Sequence, residues 1–234
     1  TVITFINEKQ SFCQSDRIEF ERITIEDGLS QSTIYCILED YMGYMWFGTE
    51  DGLNKFDGYQ FKVFNHIPND NTSLSNNRIM SLFEDSNKNL WIGTLGGGLN
   101  KYCRDSHSFI SFQNQEQNPK SIGGNIVMSI NEDNNGNLLV GTAGSGLSIF
   151  NHSDQSFQNF QHNPSNATSI PGNLVRSIHK TKNGNIYIGT DKGLALYDSE
   201  KSTFTHISNI VSNKSSVLFK TVVTITEDTL GNIW

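Results

Sequence analysis

The chain has 234 residues, 24 of them acidic and 17 basic, and a formal net charge of -7. A nucleic-acid partner needs a basic stripe, so none is expected. No run of about 18 apolar residues occurs, so nothing in the sequence reads as a membrane-spanning helix, and four prolines beside 20 glycines point to a turn-rich β protein.

Residues 1–17 read as an N-terminal tail. They have the position of a signal-peptide remnant, although Asn7, Glu8 and Lys9 are too polar for an apolar core. Cys13 lies in this tail, Cys36 in the next predicted strand and Cys103 at the end of a later one, so no disulfide framework is expected. Residues 18–24, with Phe20-Glu21-Arg22-Ile23, read as a lone strand.

From residue 33 the sequence repeats one unit four times and starts a fifth. Each copy begins with an apolar strand a, at 34–40, 79–85, 127–133, 175–181 and 222–228. Its third position is small (Cys36, Ser81, Ser129, Ser177, Thr224), as suits an innermost strand near an axis. Apolar residues flank that position on both sides, so both faces should be covered. Turns such as Asp133-Asn134-Asn135-Gly136-Asn137 supply Asn and Gly where positive φ is needed. Strand b follows as Met45-Trp46-Phe47-Gly48-Thr49, Leu90-Trp91-Ile92-Gly93-Thr94, Leu138-Leu139-Val140-Gly141-Thr142 and Ile186-Tyr187-Ile188-Gly189-Thr190. Its Gly-Thr pairs lie 45, 48 and 48 residues apart. Strand c is Gly52-Leu53-Asn54-Lys55-Phe56 and its equivalents. Strand d, as in Phe61-Lys62-Val63-Phe64, alternates and marks an outer edge.

Four antiparallel strands in about 45 residues make a β-propeller blade. The predicted fold is all-β, with complete blades at 33–66, 78–113, 126–161 and 174–208 and the start of a fifth at 221–234. The chain starts at Thr1 and stops inside a copy, so it reads as a fragment. Strand 18–24 matches strand d and should be a closing outer strand, completing a last blade built mostly from the C-terminal end.

The run Glu84-Asp85 through Tyr102, with its Leu-Trp-Ile-Gly-Thr and Gly-Gly-Leu, resembles the regulator-propeller repeat of bacterial two-component sensors, including hybrid histidine kinases. So does the opening Asp27-Gly28-Leu29-Ser30-Gln31-Ser32. The resemblance covers nearly the whole chain from Phe20. It implies a seven-bladed propeller on the periplasmic side of the inner membrane. Beyond it would follow a transmembrane helix and a histidine kinase or diguanylate cyclase, with many relatives responding to glycans. Leu139 in place of Trp, Lys180-Thr181 in place of Glu-Asp and Cys103 in place of Asp depart from the pattern. A streptogramin-lyase type propeller and a protein-interaction scaffold are the competing readings.

Trp46, Trp91, Tyr187 and Trp234 recur at one strand position, as packing between blades requires. The 133–137 turn lacks the alternating ligands and distal Glu of a calcium loop. In each Glu-Asp pair the side chains point to opposite faces, which suits turn capping and excludes a shared catalytic site. The six histidines show no metal-ligand spacing. Neither catalytic residues, a metal nor a cofactor are expected. The long loops from strand d to the next strand a, at 66–77, 114–125 and 162–173, vary in side chain. A ligand site is therefore expected at their end of the propeller, with the b-to-c loops, using Glu50, Asp51, Arg78, Arg176, Asp191 and Lys192. The expected partners are an oligosaccharide or small molecule, the rest of the receptor and a second receptor copy. Contact with a membrane would come only through a C-terminal segment outside this sequence.

Overall fold

The computed structural model describes residues 22–207 and 221–234. Four separate antiparallel sheets follow one another along the chain, each with its strands in sequence order. The first holds β1 (Ile34–Glu39), β2 (Met45–Thr49), β3 (Leu53–Phe56) and β4 (Phe61–Phe64). The second holds β5 (Ile79–Glu84), β6 (Leu90–Thr94), β7 (Leu99–Cys103) and β8 (Ser108–Phe112). The third holds β9 (Val127–Glu132), β10 (Leu138–Thr142), β11 (Leu147–Asn151) and β12 (Ser156–Phe160). The fourth holds β13 (Val175–Lys180), β14 (Ile186–Thr190), β15 (Gly193–Asp198) and β16 (Thr203–His206). The a strands of successive sheets lie against one another, β1 on β5, β5 on β9 and β9 on β13. These are blades stacked about the side that carries strand a.

The repeated Gly-Thr of strand b has two jobs. The Gly lies opposite the small third residue of strand a, in the pairs Cys36–Gly48, Ser81–Gly93, Ser129–Gly141 and Ser177–Gly189. A Cβ on Gly141 would sit 2.3 Å from Ser129 Oγ and 2.6 Å from Val175 Cγ1 of the next blade, and the other three are as tight. The Thr is wholly buried, and its hydroxyl donates to the carbonyl that closes the b-to-c connection, at 2.8–2.9 Å in all four blades. The small residues are thus set by the meeting of two blades. Ser129→Phe should overpack this contact by about 2 kcal/mol, read as a lower melting temperature of the full-length protein. An unchanged melt would put strand a elsewhere.

Pairing shifts register after the first residue of strand a in each blade, leaving Tyr35, Met80, Met128 and Arg176 as bulge residues. A bulge re-aims the side chain it carries. The periodic pattern does not announce these residues.

The long d-to-a loops vary in side chain but share one frame. They are straps with one repeated design. The amides of His66, Asn114 and His162 donate to the side chains of Asn77, Asn125 and Asn173 at 2.6–2.7 Å. Ser73, Ser121 and Ser169 accept from the next amide along. Thr72, Lys120 and Thr168 carbonyls accept from Phe109, Phe157 and Phe204 on strand d of the following blade. Leu74, Ile122 and Ile170 are fully buried beneath. Each strap therefore ties two blades together, and its backbone polar groups are met internally.

The N-terminal segment enters the first blade as such a strap. Leu29 is buried, and Ser30 exchanges hydrogen bonds with Asn54 as Ser75 does with Asn100. Of the expected closing strand 18–24, residues 22–24 are not in a strand and 18–21 lie outside the described residues, as do Cys13 and the tail. The predicted fifth strand a, 222–228, is not a strand either. Glu227 bridges Ile233, and Thr226 and Trp234 exchange backbone hydrogen bonds at 3.1 and 2.9 Å.

Trp46 and Trp91 fill the spaces between blades as expected, Trp46 against Tyr102 at 5.1 Å and Trp91 against Phe150 at 5.3 Å. Trp234 does not. It is 74% exposed, with no following blade among the described residues. At the other end Ile34 is 38% exposed, whereas Ile79, Val127 and Val175 at the same position are fully buried.

Candidate functional site

The six residues expected at the b-to-c end fall into two groups on different blades. Glu50 and Arg78 form an ion pair across the first seam, and Asp51 accepts from Asn77 Nδ2 at 2.8 Å. These three are brought together, and their loop is clasped further by Gly52 N–H on the Asn77 carbonyl at 2.7 Å. Asp191, Lys192 and Arg176 belong to the fourth blade. Asp191 Oδ1 accepts from Leu174 N–H at 3.3 Å, and its carbonyl accepts from Thr221 Oγ1 at 3.2 Å. Lys192 is exposed, while its amide donates to Thr190 Oγ1 at 3.1 Å. Arg176 is the bulge residue of β13, and its Nε is buried without a hydrogen-bond partner among the described residues. Much of this end is thus clasp between blades, with Lys192 and Arg176 the cationic groups held least by it.

The opposite end carries the stronger electrostatics. The carboxylate ending strand a accepts the amides of its own turn: Asp40 from Met42 and Tyr44, Asp85 from Asn87 and Asn89, Asp133 from Asn135 and Asn137. Turn capping is therefore the role of these Asp residues. Their second oxygen takes the indole N–H of strand b, Trp46 on Asp40 at 2.9 Å and Trp91 on Asp85 at 2.8 Å. The Glu before each Asp reaches the preceding blade. Glu84, Glu132 and Glu227 accept from Tyr41, Ser86 and Lys182 amides at 2.8–2.9 Å. Where Lys180 replaces Glu, its Nζ bonds the Asp133 carbonyl at 3.1 Å and lies 3.8 Å from Glu132. Where Thr181 replaces Asp, its hydroxyl accepts from Asn185. The departures from the repeat are compensated in place.

Arg104 was not singled out by the sequence, yet it joins two blades. Its guanidinium donates to Asp40 Oδ2 and Glu84 Oε1, each at 2.7 Å, and lies 4.9 Å from the Tyr41 ring. Burial alone would raise the Asp40 carboxyl, but hydrogen bonds from Arg104, Trp46 and Tyr44 hold it below its ordinary value. Burial pushes the Cys36 thiol up to about 12, so it packs as a neutral small side chain.

Four of the six histidines are tied into the scaffold, while His152 and His179 each have a buried Nε2 without a hydrogen-bond partner among the described residues. His66 and His162 Nδ1 meet the Leu74 and Ile170 carbonyls, His107 the Tyr102 hydroxyl and His206 the Ser169 carbonyl. Among the described residues no three His, Cys, Asp or Glu side chains are grouped as a metal site. No described helix is long and apolar enough to cross a membrane.

Three segments, 28–51, 73–96 and 169–192, match the two component regulator propeller family. Histidine kinase P4 of Formosa agariphila is 48% identical over 62 residues, which are 26% of this chain and 4% of that protein. The extracellular domain of BT4673 from B. thetaiotaomicron superposes with a TM-score of 0.72 at 20% identity, covering 92% of this chain and 30% of that one. The extracellular domain of BT3049 from the same organism, assigned to a hybrid two component system, gives a TM-score of 0.50 at 25% identity, with 92% and 40% covered. The chain spans well under half the length of each of these relatives.

Proposed function

Because the chain carries two-component regulator propeller repeats, we propose that it is part of the sensory propeller of a membrane-anchored signalling receptor. The propeller has seven blades, lies on the extracytoplasmic side and catalyses nothing itself. Its ligand is a glycan or another nutrient-derived molecule. The observation that carries this reading is the family match on three blades, joined to the 48% identity with a histidine kinase. Packing supports a binding role too, since His66 and His162 are tied to backbone carbonyls and Asp133 to turn amides. Charge on a rigid rim is what a receptor varies to change its ligand.

The site lies at the b-to-c end. Replacing Asp191 and Lys192 together with Ala should change the signal output of the intact receptor to oligosaccharides. The melting temperature should move by only about 2–4 °C, since Lys192 is exposed and Asp191 loses a single long hydrogen bond from the Leu174 amide. A double variant that melts within that range and signals as the wild type does would refute the site. Turnover of any active oligosaccharide by the purified receptor would refute the non-catalytic reading.

A further inference from the structure

The seam between the third and fourth blades departs from the two before it at three positions together. Leu139 stands where β2 and β6 carry Trp46 and Trp91. Its cross-strand partner is Ile149, where Trp46 and Trp91 face Lys55 and Lys101. Ser199 follows Tyr197 by two residues, as Arg104 follows Tyr102 and His152 follows Phe150. In the earlier seams these groups occupy the space. Lys55 and Lys101 lie over the indoles at 5.7 and 5.6 Å. Arg104 bonds Asp40, and His152 packs edge-on to Trp91 at 5.9 Å. In the third seam all three side chains are smaller or lack N–H donors. A cleft of about 830 Å³ opens there between Asp133, Asn137, Ile149 and Gln158 on one blade and Tyr197 and Ser199 on the next.

The shape of the loss defines what the cleft can take. Asp133 is only 2% exposed. Its Oδ1 accepts two turn amides and its Oδ2 accepts Asn137 Nδ2 at 2.9 Å. The equivalent oxygen of Asp85 also receives an indole N–H, and that of Asp40 an indole and a guanidinium. Among the described residues, Asp133 is therefore a buried carboxylate short of a donor that its counterparts have, beside a cleft that it lines. Such a group gains most from a ligand hydroxyl. A cation is disfavoured because Lys120 lines the cleft and Lys180 Nζ sits on the Asp133 carbonyl. An anion is disfavoured by Asp133 itself. The remaining lining is amide and hydroxyl, with an apolar flank from Ile149, Tyr197, Phe157 and Pro119. Neutral hydroxyls on an apolar ring face fit that combination.

We infer that this seam is a binding site for a small neutral polyhydroxylated molecule, with Asp133 accepting from one of its hydroxyls. The cleft runs along the seam from Asp133 and Asn137 beside the a-to-b turn to Pro119 and Lys120 of the strap and Gln161 past the end of β12, and neither Asp191 nor Lys192 lines it. Binding there stands or falls independently of the sensory reading. The test uses the full-length protein, with maltose, cellobiose and myo-inositol as probes in calorimetric titrations. The wild type should bind at least one of them saturably. Leu139→Trp with Ser199→Arg rebuilds the chemistry of the first seam and should weaken that binding at least about tenfold. Ser199→Arg alone, on the rim of the cleft, should weaken it in the same direction and guards against misfolding of the double variant. Absence of saturable binding to all three probes overturns the inference, as does undiminished binding by a folded seam-filled variant.

Discussion

Arg104→Met should lower the melting temperature of the full-length protein by about 6–12 °C at neutral pH, which corresponds to about 3 kcal/mol. The Asp40 side chain is fully buried and Arg104 is 21% exposed, so the pair is screened little. Met keeps the stem that packs over Tyr41 and removes the charge. Asp40 would then hold its negative charge on the Trp46 indole and the turn amides alone, and Glu84 would keep only the Tyr41 amide. Breaking one side of a buried pair costs more than the pair itself contributes, because the survivor stays desolvated. The effect has a defined pH dependence. The Asp40 carboxyl is depressed in the folded protein, so its stabilisation is fully present above its unfolded value of 3.8 and is lost as pH falls through the folded value. The gap between wild type and variant should therefore be widest at neutral pH and close in strong acid. In a cycle with Asp40→Asn, the two changes should cost clearly less together than the sum of their single effects. Additive effects would show that Arg104 acts by packing alone.

The blades were legible because their signal is repeated. Gly-Thr at a fixed period, Asn-Gly turns and an alternating last strand place β1 to β16 within a residue or two of their observed bounds. The straps were legible in principle and were passed over. Asp70, Asn118 and Asn166 each precede Ser by three residues and a buried Leu or Ile by four. The surface side chains between them differ, and that difference hid a shared frame. Arg104 was illegible for another reason. Its partner Asp40 is 64 residues away, and no other blade carries Arg at that position. A contact made once in a repeat leaves no period to find. The site residues at the b-to-c end were chosen for their charge on loops. Sequence could not reveal that Glu50, Asp51 and Arg78 would be engaged across the first seam, because that depends on how one blade meets the next. The third seam shows the same limit in reverse. Leu139 reads alone as drift, and becomes informative only when its cross-strand partner Ile149 and Ser199 are found lining one cleft.

Gly141→Val should cost about 3 kcal/mol, a fall of about 6–12 °C in melting temperature. The Gly lies where strand b of one blade, strand a of the same blade and the first residue of the next strand a converge. Its φ is not in the left-handed region, so backbone freedom is not the reason for Gly. Space is the reason. Any Cβ would approach Ser129 Oγ to 2.3 Å, Val175 Cγ1 to 2.6 Å and Val175 Cβ to 3.1 Å. The Ser hydroxyl can rotate, but Val175 is fully buried and stiff at χ1, so the next blade must move outward as a body. Ser129→Gly combined with Gly141→Val should recover part of the loss by clearing one of the two obstacles. Val175→Ala combined with Gly141→Val should recover more, because the rigid obstacle is the one removed. If neither second change restores stability, the contact between blades is not what fixes Gly at this position. Gly136→Ala in the a-to-b turn is the contrast. A Cβ there meets nothing within 4 Å, and φ is 80°, so its cost should be the backbone penalty of about 1 kcal/mol with no dependence on Ser129 or Val175.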